Sequence, residues 1–216
     1  MTQQFKTLIG RDRFFSLLLL AIFILAIIGL AIPKIESFFW LNSYHSTPIE
    51  NAFRVYTYLG DGLFSILLAV LLFLLKKRLL GFQILVSFLA SGILAQVVKR
   101  IAKMPRPQEI LTGSYMHFIE GHSSFGWDSF PSGHTISAFA LATLLGLHTR
   151  NHFLQIVFFL LALLVAFSRI YLGNHFLNDC SAGALIGIIT SVVVYIFVPL
   201  PRFMRTKTPP PAQNRN

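Results

Sequence analysis

Three short segments of this 216-residue chain carry side chains that could do chemistry together. The first is a run of cations, Lys99, Arg100, Lys103 and Arg106, the last followed by Pro107. The second is Pro131-Ser132-Gly133-His134, and the third holds Ser168-Arg169, His175 and Asp179. His175 and Asp179 stand four residues apart. On a helix that spacing lets the carboxylate accept a hydrogen bond from one imidazole nitrogen and aim the other nitrogen away. The free nitrogen could attack phosphorus, with Asp179 fixing the tautomer and stabilising the charge that develops. His134 suits proton transfer to a leaving alkoxide and from a water, since an ordinary histidine titrates near pH ~6.5. Lys99, Arg106 and Arg169 supply the positive charge, and arginine forks match tetrahedral oxyanions. Ser132 and the amides of Gly133 and His134 would open a helix, whose N-terminus favours anions. Lys99, Lys103 and Arg106 fall on one helical face, although Pro105 is expected to end that helix and leave Arg106 on the following turn.

The elements that must position these groups are read from composition. Hydrophobic residues make up 55% of the chain and charged residues 12%, with a mean hydropathy of +0.68. Six apolar stretches can be marked, at about 14–32, 56–75, 79–98, 132–147, 153–167 and 181–200. Each is near the ~20 residues a helix needs to cross ~30 Å of hydrocarbon. The expected fold is therefore all-α: a six-span membrane bundle, residues 1–208 forming one domain and the Pro-rich 209–216 a disordered cytoplasmic tail. A soluble two-domain enzyme, a coiled coil and a disulfide scaffold are excluded, the last because Cys180 is the only cysteine. Pro33 ends the first stretch, which reads as a retained anchor because no small-residue cleavage site follows it.

If the spans alternate, eleven of the 18 basic residues gather on one side. The positive-inside rule then puts both termini in the cytoplasm, so the net charge of +10 predicts membrane orientation and no nucleic-acid partner. The compact chain points to a bacterial inner membrane. The same alternation brings the three reactive segments, spread over about 80 positions, to the outer ends of their helices, where they can share one pocket.

Lys99-x6-Arg106-Pro107, Pro131-Ser132-Gly133-His134 and Ser168-Arg169-x5-His175-x3-Asp179, in this order, resemble the tripartite signature of the type 2 phosphatidic acid phosphatases, relatives of the vanadium-dependent haloperoxidases. The resemblance implies a six-span enzyme with its site at the outer face. It implies removal of phosphate from a lipid without metal or cofactor, through a phosphohistidine on His175. His134 would serve as acid and base, Asp179 would assist His175, and Lys99, Arg106, Ser132, Gly133 and Arg169 would hold phosphate. Undecaprenyl diphosphate, phosphatidylglycerophosphate, phosphatidic acid and lipid A phosphate are the candidate substrates, with undecaprenyl diphosphate and phospholipid phosphates placed first. Phosphotransfer to a lipid or sugar acceptor and anion or lipid transport are the alternatives.

Several residues have blander readings. A zinc site from His134, His175 and Asp179 is disfavoured by three neighbouring cations. Asp61 reads as a helix cap with a weaker case for contact with the site, and Cys180 as a packing residue. Gly183-x3-Gly187 permits close helix approach within the bundle. His117, Glu120, His122 and Asp128 are expected to be solvated loop residues, with headgroup selection as the weaker alternative. Phe38, Phe39, Trp40, Tyr44, Phe125, Trp127 and Phe130 are expected to form an aromatic belt.

Overall fold

The computed structural model describes residues 13–114, 126–201 and 204. Nine α-helices occur among them, with no strand. They are α1 (Arg13–Ala31), α2 (Lys34–Asn42), α3 (Thr47–Tyr56), α4 (Gly62–Leu74), α5 (Arg78–Ala102), α6 (Pro107–Leu111), α7 (Gly133–His148), α8 (His152–Tyr171) and α9 (Leu177–Phe197). A 3₁₀ turn, Thr57–Gly60, joins α3 to α4.

The helix ends follow local chemistry. Asp61 accepts a hydrogen bond from Leu63 N–H at 2.7 Å and so caps α4. Asn151 accepts from the N–H groups of Phe153 and Leu154 and caps α8. α5 stops at Ala102: Lys103 takes a left-handed conformation (φ 43°) and Pro105 disfavours helix at the residue before it.

α7 is buried on nearly every side and packs against α5, α8 and α9. Its small residues Ala138, Ala140, Ala142 and Gly146 let these neighbours approach. At α9 the approach is so close that a Cβ on Gly187 would lie 2.5 Å from Ile136 O and 2.9 Å from Ala140 N. Gly183 faces Ser132 O in the same way, so the Gly183-x3-Gly187 pair does bring helices together inside the bundle.

Polar groups lie inside this bundle and apolar ones outside. Ser87 and Ser191 bond across α5 and α9 at 2.8 Å, and buried Gln83 donates to Val198 O and pairs with His148. Phe23, Leu30, Leu67, Leu74, Ile93, Leu160 and Phe197 are exposed. An outer surface this apolar requires hydrocarbon around it, and the chain is an integral membrane protein. α5, α8 and α9 are each long and apolar enough to cross a bilayer. Two broken pairs, one bent by 105° after α1 and one by 53° before α4, raise the number to five. α7, of 16 residues, is about 24 Å long at ~1.5 Å per residue and is enclosed by its neighbours.

Helices α2 and α3 occupy what the sequence presents as an irregular connection. Phe38, expected in an aromatic belt, is instead fully buried, edge-on to Phe176 at 5.7 Å. Trp40 and Tyr44 are exposed.

Candidate active site

The three sequence segments meet at one end of the bundle. Lys99 lies in the last turn of α5 and Arg169 in that of α8, while Ser132, Gly133 and His134 open α7. The N–H of Ser132 donates to Asp179 O at 3.1 Å, tying the start of α7 to that of α9. His134 is within electrostatic reach of Arg169, Asp61, His175 and Arg106. His175 is within reach of Asp179, Arg169 and Arg106, and Lys99 within reach of Asp128, Arg106 and Asp179. Every residue singled out for catalysis or phosphate binding is thus gathered here.

His175 and Asp179 do not share a helix as their spacing suggests. His175 precedes α9, whose N-cap is Phe176, and Asp179 in the first turn folds back toward it. Asp179 Oδ2 accepts from Phe176 N–H at 2.9 Å and lies 3.5 Å from His175 Nδ1. The contact is therefore made across a helix start, where a first-turn carboxylate naturally reaches back to preceding backbone. A second polar group sits between them. Ser129 Oγ donates to Asp179 Oδ2 at 2.5 Å and lies 3.4 Å from His175 Nδ1. His175 is 2% exposed. Burial pushes its imidazole down to about 4, against the opposing pull of Asp179 and with help from Arg169 and Arg106. At neutral pH it is an uncharged base.

Arg169 is 9% exposed, and its Nη1 donates to Thr57 Oγ1 at 3.0 Å. Its Nε is buried without a hydrogen-bond partner, and among the described residues no carboxylate pairs with it. A buried guanidinium with an unpaired donor has the chemistry to bind an anion. Lys99 and Arg106 differ, because both engage Asp128. Arg106 forms a fork to its carboxylate, with Nε at 2.9 Å from Oδ1 and Nη2 at 3.3 Å from Oδ2. Lys99 donates to Asp128 O at 2.9 Å and lies 3.7 Å from Oδ2. Asp128 is the half-exposed loop residue expected, but its carboxylate also pairs with both cations. The backbone bonds Arg106 N–H to Gly126 O and Ser129 N–H to Met104 O fold its loop back onto the cations. The hydrogen bond from Arg106 holds its carboxyl below the usual range. Lys103, on the expected cationic face, is exposed at the helix end instead.

Ser132 is the N-cap of α7 by backbone conformation but makes no side-chain cap bond, and its Oγ accepts from Thr135 Oγ1 at 3.0 Å. Its own hydroxyl proton and the first-turn amides can serve a ligand. His134 Nε2 stands 4.0 Å from Asp61 Oδ2, so Asp61 both caps α4 and faces a site histidine. Gly60 allows this: a Cβ there would meet His134 O at 2.7 Å and Val165 at 2.6 Å. Cys180 is buried beside the site. His117, Glu120, His122 and Phe125, and the tail from 209 onward, lie outside the described residues. Among the described residues, no three His, Cys, Asp or Glu side chains gather closely enough to hold a metal.

Ser129 and Thr57 were not singled out in the sequence, and Asp128 was read there without its pairing to the cations. Ser129 precedes the Pro-Ser-Gly-His segment by two positions, and that proximity is its one local signal.

Comparison with known proteins agrees with this geometry. The chain is 31% identical over 125 residues to the bacitracin transport permease protein BcrC of Bacillus licheniformis, covering 57% of this chain and 58% of that protein. It is 31% identical over 121 residues to an undecaprenyl-diphosphatase of Sulfolobus acidocaldarius, covering 55% of each. The matched region thus spans little more than half the length of these curated relatives. The crystal structure of a transmembrane PAP2-type phosphatidylglycerolphosphate phosphatase from Bacillus subtilis superposes with a TM-score of 0.62 and 25% identity, covering 83% of this chain and 92% of that one. Residues 80–202, which hold all three reactive segments, match the PAP2 superfamily. That match takes in more than half of the chain, and the chain belongs to the PAP2 superfamily.

Proposed function

We propose that this protein hydrolyses a phosphate monoester or diphosphate of a membrane lipid, without metal, through a phosphohistidine on His175. The observation that carries the proposal is the buried Arg169 guanidinium, its Nε unpaired, beside an imidazole kept neutral by burial. A phosphate supplies the missing acceptor and at once becomes the electrophile. His175 Nε2 attacks phosphorus, and the bond from phosphorus to the lipid oxygen breaks as that oxygen takes a proton from His134. Water then gives a proton to His134 and attacks phosphorus; the P–N bond breaks and inorganic phosphate leaves. Lys99, Arg106 and Arg169, with Ser132 and the amide of Gly133, stabilise the equatorial oxygens throughout. Asp179 stabilises the imidazolium that forms when Nε2 bonds to phosphorus.

The lipid nature of the substrate is supported by a groove of about 470 Å³ between α1, α9 and the 104–105 segment. Leu25, Gly29, Leu30, Met104, Phe130 and Leu185 line it, and it touches Asp179 and Phe176. A hydrocarbon chain fits such a wall, whereas a soluble sugar phosphate gains nothing from it. On this reading α1, α4, α5, α7, α8 and α9 cross a bacterial inner membrane with both termini in the cytoplasm, and the site faces outward. The relative named as an undecaprenyl-diphosphatase favours undecaprenyl diphosphate, with phosphatidylglycerophosphate, phosphatidic acid and lipid A phosphate as the other candidates. Another relative is named as a transport permease, which keeps a transport reading in view. A pathway needs charged groups along its depth, but here they collect at one end.

The test uses purified protein in detergent with EDTA, assayed for phosphate release from those four lipids side by side. Release from at least one, lost in His175→Ala and competitively inhibited by orthovanadate, is the expected result. Activity that survives His175→Ala, or that returns only with added zinc, would overturn the mechanism.

A further inference from the structure

Ser129 is fully buried at the point where three parts of the site meet. Its N–H is fixed by Met104 O at 3.0 Å, beside the end of α5, and its hydroxyl stands between His175 and Asp179. Counting protons determines the direction of each contact. A serine hydroxyl has one proton, and a carboxylate can only accept. At 2.5 Å that proton belongs to the bond with Asp179 Oδ2. The lone pairs of Ser129 Oγ, and the same carboxylate oxygen 3.5 Å away, are then what His175 Nδ1 faces. Among the described residues two acceptors confront Nδ1 and no donor does, so Nδ1 carries the imidazole proton. Nε2 is left with its lone pair.

We infer that Ser129 is a positioning residue that locks His175 in the Nδ1-protonated tautomer and divides the attention of Asp179, so that Nε2 stays a free nucleophile. This inference rests on the proposed role of His175 as nucleophile. Ser129 Oγ at 3.4 Å and Asp179 Oδ2 at 3.5 Å approach Nδ1 about equally, both at the outer limit of a hydrogen bond, while Ser129 and Phe176 N–H hold the carboxylate by shorter bonds that keep it from closing onto Nδ1. Ser129 therefore both relays the carboxylate to the imidazole and weakens its direct grip. The charged and titratable groups facing His175 are Asp179 from α9, Arg169 from α8, Arg106 from the segment after α5, and His134 from α7. Removing the hydroxyl leaves Asp179 free to turn onto Nδ1, which strengthens the one attraction that opposes the others.

The test compares Ser129→Ala and Ser129→Thr with wild type and His175→Ala, on whichever lipid phosphate the wild type hydrolyses. In Ser129→Ala, kcat is expected to fall by about tenfold to a hundredfold, the usual scale for losing a partner that orients a reacting imidazole. KM is expected to change by less than about twofold to threefold, since the phosphate-binding cations are untouched. The acid limb of kcat/KM should move to higher pH, because Asp179 then favours imidazolium more strongly. Ser129→Thr restores a hydroxyl at the same place and should recover both kcat and the position of the limb. A role in packing alone would lower stability and amplitude but leave the limb unmoved. If His175→Ala is inactive while Ser129→Ala keeps wild-type kcat and limb, the positioning role is wrong and the nucleophile stands. A Ser129→Thr that folds with a wild-type melting temperature but recovers neither quantity also overturns it. Should His175→Ala remain active, the nucleophile reading fails and the role of Ser129 falls with it.

Discussion

The carboxylate of Asp128 pairs with Lys99 and Arg106, the two cations proposed to hold phosphate, so on that proposal phosphate competes with it. Asp128→Asn removes the competitor's charge and keeps its shape. The fork to Arg106 and the 3.7 Å approach of Lys99 make this a charge-assisted cluster, with both cations only 14% exposed in their side chains. Asp128 itself is 55% exposed, so solvent screening cuts the value to about 1 kcal/mol, near the top of the range for surface pairs. At ~1.4 kcal/mol per factor of ten, that is about fivefold in affinity. The expected outcome is a Ki for orthovanadate about fivefold lower in Asp128→Asn than in wild type, with the difference shrinking at high salt. The measurement is steady-state inhibition in detergent at constant lipid mole fraction. A Ki that is unchanged, or that rises, would refute the reasoning, because Asp128 would then be holding Lys99 and Arg106 in place for a ligand that binds beside it.

Asp61→Asn should lower kcat with little change in KM, since it removes the carboxylate charge that faces His134 Nε2 at 4.0 Å while keeping the cap of α4; an unchanged kcat would assign Asp61 to helix capping alone. Arg169→Lys keeps the charge but loses the fork and the buried Nε donor, and kcat/KM should fall by about a hundredfold in phosphate-release assays. Gly187→Ala places a Cβ against the backbone of α7 and should cost about 1–3 kcal/mol, read as a lower melting temperature in detergent. The buried imidazole of His175 takes up a proton only near pH 4, whereas the unfolded chain takes one up near ~6.5, so stability is complete above ~6.5 and is lost as pH falls toward 4. At ~1.36 kcal/mol per unit this amounts to about 3 kcal/mol, and His175→Gln should flatten that part of the unfolding profile by a measurable amount.

The parts of this molecule legible in its sequence are those where one residue type has one physical use. Long apolar runs can only be helices in hydrocarbon, and Pro33 and Asp61 mark helix ends through a missing or supplied hydrogen bond. Lys99, Arg106, His134, Arg169, His175 and Asp179 could be grouped because alternating spans carry their helix ends to one level. Phe38 is different: a phenylalanine near a membrane surface satisfies a belt and a core equally well, and the close packing of α2 under Phe176 decides between them. The same ambiguity hid Asp128 and Ser129. A loop has no periodicity, so a carboxylate or hydroxyl there gives no sign of which way it turns. Two backbone bonds, to Gly126 O and Met104 O, turn this loop inward. The consequence reaches the chemistry. On the proposed mechanism the motif residues supply the nucleophile and the cations, while the loop supplies Ser129 beside the imidazole and Asp128 on the cations. Substrates that differ only in headgroup meet the same motif, so discrimination among them has to arise in parts such as this loop and the groove beside Asp179.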